Sequence, residues 1–383
     1  MIYFDHAASS FPKPKAVGEA MIEAVNSYGA NPGRGGHALA ERARTVVEET
    51  RKKIAEVFGA PGSKHVWFYQ NATMALNQAL LGFPFETNDH VVTTMVEHNS
   101  ILRPLEKLRE EKGIRITYVQ PNKEGVMTAE SFEAACTEKT RMFAVTHASN
   151  VTGVVAPIRE LTQIAKQKGI VVLLDASQTA GTLPIHMETD GIDLLAFAGH
   201  KSLLGPQGTG VLISQNDYQL IPLLVGGTGS YSELPHQPTV WPDRYEAGTL
   251  NTPGIAGLSA GIDEVVAMGV ETIYTHEQQL MTLFLEEVKS IEGLTCYGPK
   301  DLSKRVAVVP FQLSGIGSHE LAIILDEHYQ IAVRAGLHCA PKTHQSLNTS
   351  DTGLVRVSFG PFNTTEEVKS LVQALKEIQQ AFE

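Results

Sequence analysis

The sequence predicts an α/β fold with a large domain and a smaller α+β domain. Between Lys64 and Ser214, short apolar runs alternate with amphipathic stretches. Runs that are apolar on both faces are typical of strands covered by helices, so the predicted sheet is mostly parallel. The seven runs are HVWFYQ, HVVTTMV, IRITYVQ, RMFAVTH, IVVLLDA, DLLAFAG and TGVLIS. From about Thr252 the pattern changes to a long helix and then to mixed helices and strands, which predicts the second domain.

The segments between the apolar runs carry helical periodicity. In IRELTQIAKQKG, Ile158, Leu161 and Ala165 share one face, and Gly169 is a stop signal. We place the large domain at residues 14–252, and the small domain at residues 1–13 and 253–383. The irregular stretch from Val225 to Gly254 is too long for a simple connector, which favours a binding element.

Composition excludes several classes of protein. The 383 residues carry a formal charge of −11 without a Lys/Arg-rich run, so neither a nucleic-acid nor a membrane partner is expected. The cysteines, Cys136, Cys296 and Cys339, form no CxxC pair, so we predict no disulfide framework and no metal site. The first residues resemble no signal peptide, and a cytoplasmic location is expected.

Polar residues follow four of the apolar runs, where ligands of doubly wound sheets gather. These stretches are QNAT from Gln70, HNS from His98, DASQ from Asp175 and GHKS around Lys201. Taken singly, a lysine there is usually a surface charge and an aspartate a helix cap. Asp175 and Lys201 end consecutive βαβ steps, however, so their side chains should emerge side by side.

A lysine beside an aspartate indicates pyridoxal phosphate, which lysine holds as a Schiff base and which needs a carboxylate at its ring nitrogen. His98 could stack on such a ring and move protons, although a lone histidine is more often a hydrogen-bonded core residue. The backbone N–H groups of Ala72 and Thr73 stand at a predicted helix start, which suits a phosphate.

Taken together, these motifs resemble the cysteine desulfurases of the class V aminotransferase family, which have the fold type I architecture of pyridoxal phosphate enzymes. The resemblance runs nearly end to end. It rests on YFDHAASS, ASNVTGVVAPI, LLDASQTAG, GHKSLLGPQGTG, YEAGTLNTPGI, RAGLHCAP and VRVSFGPFNTTEEV, in the family's order. The cysteine desulfurases divide into branches, and the short chain segment between Cys339 and Arg356 resembles that of the group II branch.

The resemblance implies a role for each matching residue. Lys201 would hold the cofactor, Asp175 would contact the pyridine nitrogen, and His98 would stack on the ring. Cys339 would accept sulfur, and Arg356 would bind the substrate carboxylate. The remaining implied residues are Asn150 and Gln178 near the ring hydroxyl, Ala72, Thr73, His200 and Thr249 for the cofactor, and Asn150, Arg34 and Ala7 for the substrate.

Three positions depart from the group II pattern. Ala198 stands where a phosphate-binding serine is common, Ala72 where a threonine is common, and His6 where an asparagine is common.

The activity implied is conversion of L-cysteine to L-alanine, with sulfur left on Cys339 as a persulfide for an acceptor protein, for example in iron-sulfur cluster assembly. Three alternatives stay open at this stage. The protein could be a selenocysteine lyase, it could catalyse another class V reaction in which Cys339 is only structural, or it could be an interaction protein without cofactor.

The resemblance also implies a homodimer, in which the segments NPGRGGH from Asn31 and EAGT from Glu246 reach the partner's site. The ordinary alternative is that these glycine-bearing segments are surface turns.

In RAGLHCAP, Gly336 permits an unusual backbone turn, and positive charge on Arg334 and His338 would lower the pKa of the Cys339 thiol. The ordinary alternative is a packed, inert cysteine.

Overall fold

The computed structural model of the protein describes residues 1–33 and 36–382, and within them the seven apolar runs form one sheet. Its spatial order is β2-β8-β7-β6-β5-β3-β4. The strands are β2 (Val66–Tyr69), β3 (His90–Thr94), β4 (Arg115–Val119), β5 (Thr140–Thr146), β6 (Val171–Asp175), β7 (Leu194–Ala198) and β8 (Gly210–Ser214). In this sheet β8 runs opposite to the other six strands. The predicted mostly parallel, seven-stranded sheet is confirmed.

Helices cover both faces of this sheet. Along β5, Phe143 and Val145 join one apolar layer, whereas Met142 and Ala144 join the other. This alternation explains why the run is apolar at nearly every position. The first layer is completed by α2 (Ala38–Phe58), α5 (Ala129–Ala135), α6 (Ile158–Lys168) and α8 (Thr252–Met268), and the second by α3 (Ala72–Gly82) and α4 (Asn99–Lys112). Gly169 ends α6 with φ 67°, as its stop signal predicts.

A second apolar core lies in the C-terminal part of the chain. It is formed by α9 (Val270–Glu287), α10 (Ser318–Tyr329), α12 (Thr365–Phe382) and an antiparallel sheet of β12 (Arg334–Gly336), β13 (Leu354–Ser358), β10 (Val308–Leu313) and β9 (Leu294–Cys296). Strand β1 (Ile2–Tyr3) pairs in parallel with β11 (Ile331–Ala332), which ties the N-terminus to this part. The predicted domain boundaries stay a prediction.

The remaining helices complete the described fold. They are α1 (Lys15–Tyr28), α7 (Met187–Asp190), α11 (Pro341–Leu347) and the 3₁₀ turns Ser63–His65, Val288–Ser290 and Leu302–Lys304. Within the described ranges, no single helix is long and apolar enough to cross a bilayer; α8 and the helix after it reach that length only as a pair bent by 77°.

The segment between β8 and α8 contains no helix or strand, and a buried ion pair anchors it to the sheet. The Arg51 guanidinium of α2 donates two hydrogen bonds to the Glu246 carboxylate, at 2.7 and 2.9 Å. Glu246 also accepts from the backbone N–H of Phe68 in β2, at 2.6 Å. The long loop is therefore fixed where β2 begins.

We predict that Arg51→Met lowers the free energy of unfolding by about 3–5 kcal/mol, because Glu246 is left as a buried charge without a counter-ion. Thermal unfolding measures this loss. The matched control is Arg44→Met, whose ion pair with Glu41 is exposed (side chains 60% and 59%) and should cost less than about 1 kcal/mol. Equal destabilisation by both substitutions would contradict the assigned anchor.

Candidate active site

Four neighbouring strands deliver side chains to one cavity at their carboxyl ends. His98 follows β3, Asn150 follows β5, Asp175 ends β6, and Lys201 follows β7. The chain order reverses between β3 and β5, which is where open α/β sheets bind ligands. The cavity has a volume of about 230 Å³, and all four residues line it.

Lys201 and Asp175 face the same space with complementary chemistry. Burial lowers the pKa of the Lys201 amine to about 8, although the Asp175 charge acts in the opposite direction. One Asp175 oxygen, Oδ1, accepts hydrogen bonds from the N–H and hydroxyl of Ser177, at 2.9 and 2.5 Å. A buried amine that is partly neutral near pH 7 is a nucleophile, and the second Asp175 oxygen stays available for a cationic N–H.

His98 has a defined proton position. The backbone N–H of Ser100 donates to His98 Nδ1 at 3.1 Å, so the proton of the neutral ring lies on Nε2. Burial, followed by the charge of Lys201, lowers the pKa of His98 to about 4. The Ser100 hydroxyl links Nδ1 (2.9 Å) to the Thr73 hydroxyl (2.7 Å). His98 is therefore a neutral ring that leaves Nε2–H for the cavity.

The start of α3 supplies the anion-binding end of the cavity. Asn71 caps the helix by accepting from the N–H of Met74 at 2.9 Å, and the N–H groups of Ala72 and Thr73 stand in the first turn, where they have no helical acceptor. Ala72, Thr73 and His200 all line the cavity. Burial lowers the pKa of His200 to about 4, so its ring is neutral. This arrangement suits a phosphate.

Arg356 lies in β13 and reaches the cavity from the opposite side. Its guanidinium donates through Nη1 to the backbone oxygen of Asn150 at 2.9 Å and through Nη2 to the Asp5 carboxylate at 2.5 Å. Burial lowers the pKa of Arg356, and Asp5 counteracts this effect. The two hydrogen bonds fix the orientation of the guanidinium. Its other N–H groups are left for an incoming carboxylate.

Cys339 stands exposed at the same cavity on an unusual backbone. His338 and Cys339 both have left-handed conformations, with φ 52° and 56°, and Gly336 has φ 102°. The Asn150 amide donates to the oxygen of His338 at 2.8 Å, and the N–H of Asn99 donates to the oxygen of Cys339 at 2.8 Å. These hydrogen bonds hold the backbone that carries the thiol at the mouth of the cavity. The backbone turn is of the unusual kind that Gly336 in RAGLHCAP indicates.

The predicted contribution of His338 to the thiol is wrong. Burial, followed by the Arg356 charge, lowers the pKa of His338 to about 2, so its ring carries no positive charge at neutral pH. Of the two groups that the sequence offers, only Arg334 is a cation, and it lines the cavity with Cys339.

The structure brings most of the predicted residues to this one cavity. Its lining includes Ala7, Ala72, Thr73, His98, Asn150, Asp175, Gln178, His200, Lys201, Cys339 and Arg356. Thr249 is separate and lines a different cavity with Tyr69 and Gln70. Arg34 lies outside the described residues. Gln178 donates to the backbone oxygen of Ala7 at 2.9 Å, which fixes its side chain at the cavity wall.

Sequence reasoning missed the residues that hold these groups in place. Ser100 and Ser177 stand inside HNS and DASQ, directly beside the residues they orient, so the same motifs contained that signal. Asp5 belongs to YFDHAASS, but its pairing with Arg356 spans 351 positions and has no local signature.

The amino-acid sequence and the fold are both similar to known proteins. The model of the family described as aminotransferase class-V matches residues 2–371. A protein of Methanothermobacter thermautotrophicus named probable cysteine desulfurase is 37% identical over 383 residues, covering 98% of this chain and 94% of the relative. A Pyrococcus abyssi protein with the same name is 36% identical over 384 residues, covering 99% of this chain and 94% of the relative.

Solved structures of cysteine desulfurases have the same fold as this chain. The apo structure of a cysteine desulfurase from Thermococcus onnurineus superposes with a TM-score of 0.94 at 35% identity, covering 99% of this chain and 95% of the other. The cysteine desulfurase CsdA of Escherichia coli, in an S-sulfonic acid form, has a TM-score of 0.90 at 27% identity, covering 100% of this chain and 95% of the other.

Proposed function

The chain belongs to the aminotransferase class-V family, and we propose that Lys201 and Cys339 are the central residues of a pyridoxal phosphate-dependent cysteine desulfurase. The observation that carries this proposal is the meeting of three groups in one cavity: a lysine amine with a lowered pKa, the carboxylate of Asp175, and an exposed thiol. Cysteine desulfurase activity is also what the relatives' names state.

The cavity residues fit pyridoxal phosphate. The Asn150 Oδ1 atom is buried and has no hydrogen-bond partner among the described residues. It can therefore accept a hydrogen bond from a group bound in the cavity. Lys201 suits the aldehyde carbon, Asp175 the protonated ring nitrogen, and the first turn of α3 the phosphate. His98 offers a neutral, flat ring beside them. When bound, the cofactor supplies an electron sink for the carbanion at the substrate's α-carbon.

The residues of the chain then have separable tasks. Arg356 binds the substrate carboxylate and fixes the α-carbon relative to Lys201, whose neutral amine takes the α-proton at Nζ. The thiolate of Cys339 attacks the substrate sulfur, the carbon–sulfur bond breaks, and a persulfide forms on Sγ. A proton for the release of alanine would come from the Lys201 ammonium formed in the first step, and the neutral His98 ring would relay it by giving up its Nε2 proton as Nδ1 takes one up. One L-cysteine thus yields one L-alanine and one persulfide, so the atoms and electrons balance.

The overall reaction is tested by incubating the purified holoenzyme with L-cysteine and dithiothreitol and quantifying alanine and sulfide together. Equal amounts of both products support desulfuration. Keto-acid formation without alanine would contradict it and would indicate another class V reaction. L-Selenocysteine as a parallel substrate measures the preference for selenium.

We predict that Cys339→Ser abolishes sulfide release while the cofactor absorbance is kept, because a hydroxyl cannot accept sulfur. Cys136→Ser and Cys296→Ser are the controls and should remain active. Burial raises the pKa of both control thiols, that of Cys296 to about 11, so neither forms a thiolate near pH 7. Mass spectrometry should find the extra sulfur on the peptide of Cys339; finding it elsewhere would overturn the assignment.

We predict that Asp5→Asn lowers the KM for L-cysteine roughly fivefold, which corresponds to about 1 kcal/mol of binding. Asparagine keeps an oxygen for Arg356 Nη2 but removes the negative charge that competes with the substrate carboxylate. Cofactor absorbance can report binding of L-alanine, which should tighten, and of ethylamine, which lacks a carboxylate and should not. Asp326→Asn, at an exposed position on α10, is the control. A raised KM would instead show that the Asp5 charge is needed to orient Arg356.

We also propose a homodimer in which each subunit completes its partner's site. The two segments that the sequence singled out meet in this chain, because the Asn31 amide donates to the Thr249 hydroxyl at 3.2 Å. Beside them, Leu224 and Val225 are exposed apolar side chains, and the Tyr69 hydroxyl is buried and lacks a partner among the described residues. The cytoplasmic location stays a prediction.

We predict that two inactive variants restore activity when mixed. Lys201→Ala removes the cofactor linkage, and Arg34→Ala removes a group that the resemblance assigns to the neighbouring subunit. A hybrid dimer then has one complete site. Activity after subunit exchange supports shared sites, and its absence despite proven exchange contradicts them. Light scattering of the unmixed proteins should give the mass of two chains.

A further inference from the structure

Three cations stand on elements that adjoin the exposed thiol of Cys339. Arg334 lies in β12 and lines the cavity with Cys339. Lys342 lies three residues after Cys339, in α11. Arg103 lies on α4, four residues after Asn99, whose N–H donates to the oxygen of Cys339; residues four apart share a helix face. We call Arg103, Arg334 and Lys342 the basic mouth.

These charges are largely uncompensated. In the part of the chain that the structure describes, the exposed guanidiniums of Arg103 and Arg334 have no ion-pair partner. Lys342 Nζ stands 4.0 Å over the ring of Tyr118. The acid in its vicinity is Glu106, which already accepts from the Tyr118 hydroxyl at 2.8 Å and from Arg109 at 2.7 Å. The thiol therefore lies in a positive field.

This field extends into the cavity. After burial and Lys201, the charges of Arg103 and Arg334 also lower the pKa of His98. The mouth differs in sign from the chain as a whole, whose formal charge is −11. The acids of this region have cationic neighbours inside the cavity, because Asp175 faces Lys201 and Asp5 is paired with Arg356. An approaching anion is attracted to these cations, whereas the net negative charge of the chain repels it.

We propose that the basic mouth is a docking surface for an acidic protein segment that carries the acceptor thiol among carboxylates. The proposal rests on the proposed function, because it concerns the fate of the Cys339 persulfide. The acceptor thiolate attacks the outer sulfur, the bond between that sulfur and Sγ breaks, and its electron pair stays on Sγ as the thiolate. The acceptor then carries the persulfide, and no other reactant is consumed.

The test uses three synthetic peptides with one cysteine each: Asp-Glu-Cys-Glu-Asp, Ser-Gly-Cys-Gly-Ser and Lys-Lys-Cys-Lys-Lys. The holoenzyme is loaded with persulfide by L-cysteine, freed of excess substrate, and mixed with each peptide. Mass spectrometry follows transfer of the extra sulfur. Flanking carboxylates raise the pKa of the peptide thiol and so slow its intrinsic attack; a faster reaction of the acidic peptide therefore reports docking.

We expect transfer to the acidic peptide to be at least about tenfold faster than to the neutral peptide at low salt, with an advantage that shrinks as ionic strength rises. Arg103→Glu and Lys342→Glu should each remove this advantage and speed transfer to the basic peptide. Lys369→Glu makes the same charge change at an exposed position on α12 and should leave the order unchanged. Arg334 is left intact because it lines the cavity.

The two proposals fail in different ways. If no persulfide and no alanine form during loading, the proposed function is wrong. If both form but the three peptides take sulfur at equal rates, or the basic peptide is fastest, the docking surface is wrong. Loss of the acidic preference in Lys369→Glu as well as in Arg103→Glu would also overturn it, because net charge would then explain the result.

Discussion

The buried guanidinium of Arg356 joins the three parts of the chain that enclose the cavity. It belongs to β13, it donates to the backbone oxygen of Asn150 after β5, and it pairs with Asp5 near the N-terminus. Asn150 in turn donates to the oxygen of His338. Removing one partner from such a network leaves a buried charge or donor unsatisfied, so its members depend on one another. The wall of the cavity at Arg356 and the thiol loop therefore share one support.

The sequence predicts the sheet and most of the cavity for a clear physical reason. Strands buried on both faces leave apolar runs, and parallel strands bring the residues after those runs to one edge. Asp175 and Lys201 follow from this rule alone. The roles of Arg356 and Cys339 required the family resemblance, since neither is marked by periodicity.

Other features depended on contacts that the sequence does not encode locally. The Asp5–Arg356 pair spans almost the whole chain. His338 looks like a cation beside a thiol, but its charge depends on burial, which a motif does not report. Thr249 matches the family pattern and still lies in a separate cavity, because a sequence motif does not report which cavity a loop residue lines.

The backbone conformation that positions the Cys339 thiol is energetically unfavourable. A left-handed conformation is unfavourable by about 1–2 kcal/mol for a residue with a side chain, and His338 and Cys339 adopt it in succession. The hydrogen bonds from Asn150 and from the N–H of Asn99 to their carbonyl oxygens offset this cost. Since both donors stand on segments that follow sheet strands, the loop is held against the carboxyl edge of the sheet while Sγ stays exposed. A thiol held this way can meet a substrate inside the cavity and an acceptor outside it without a large movement of the chain.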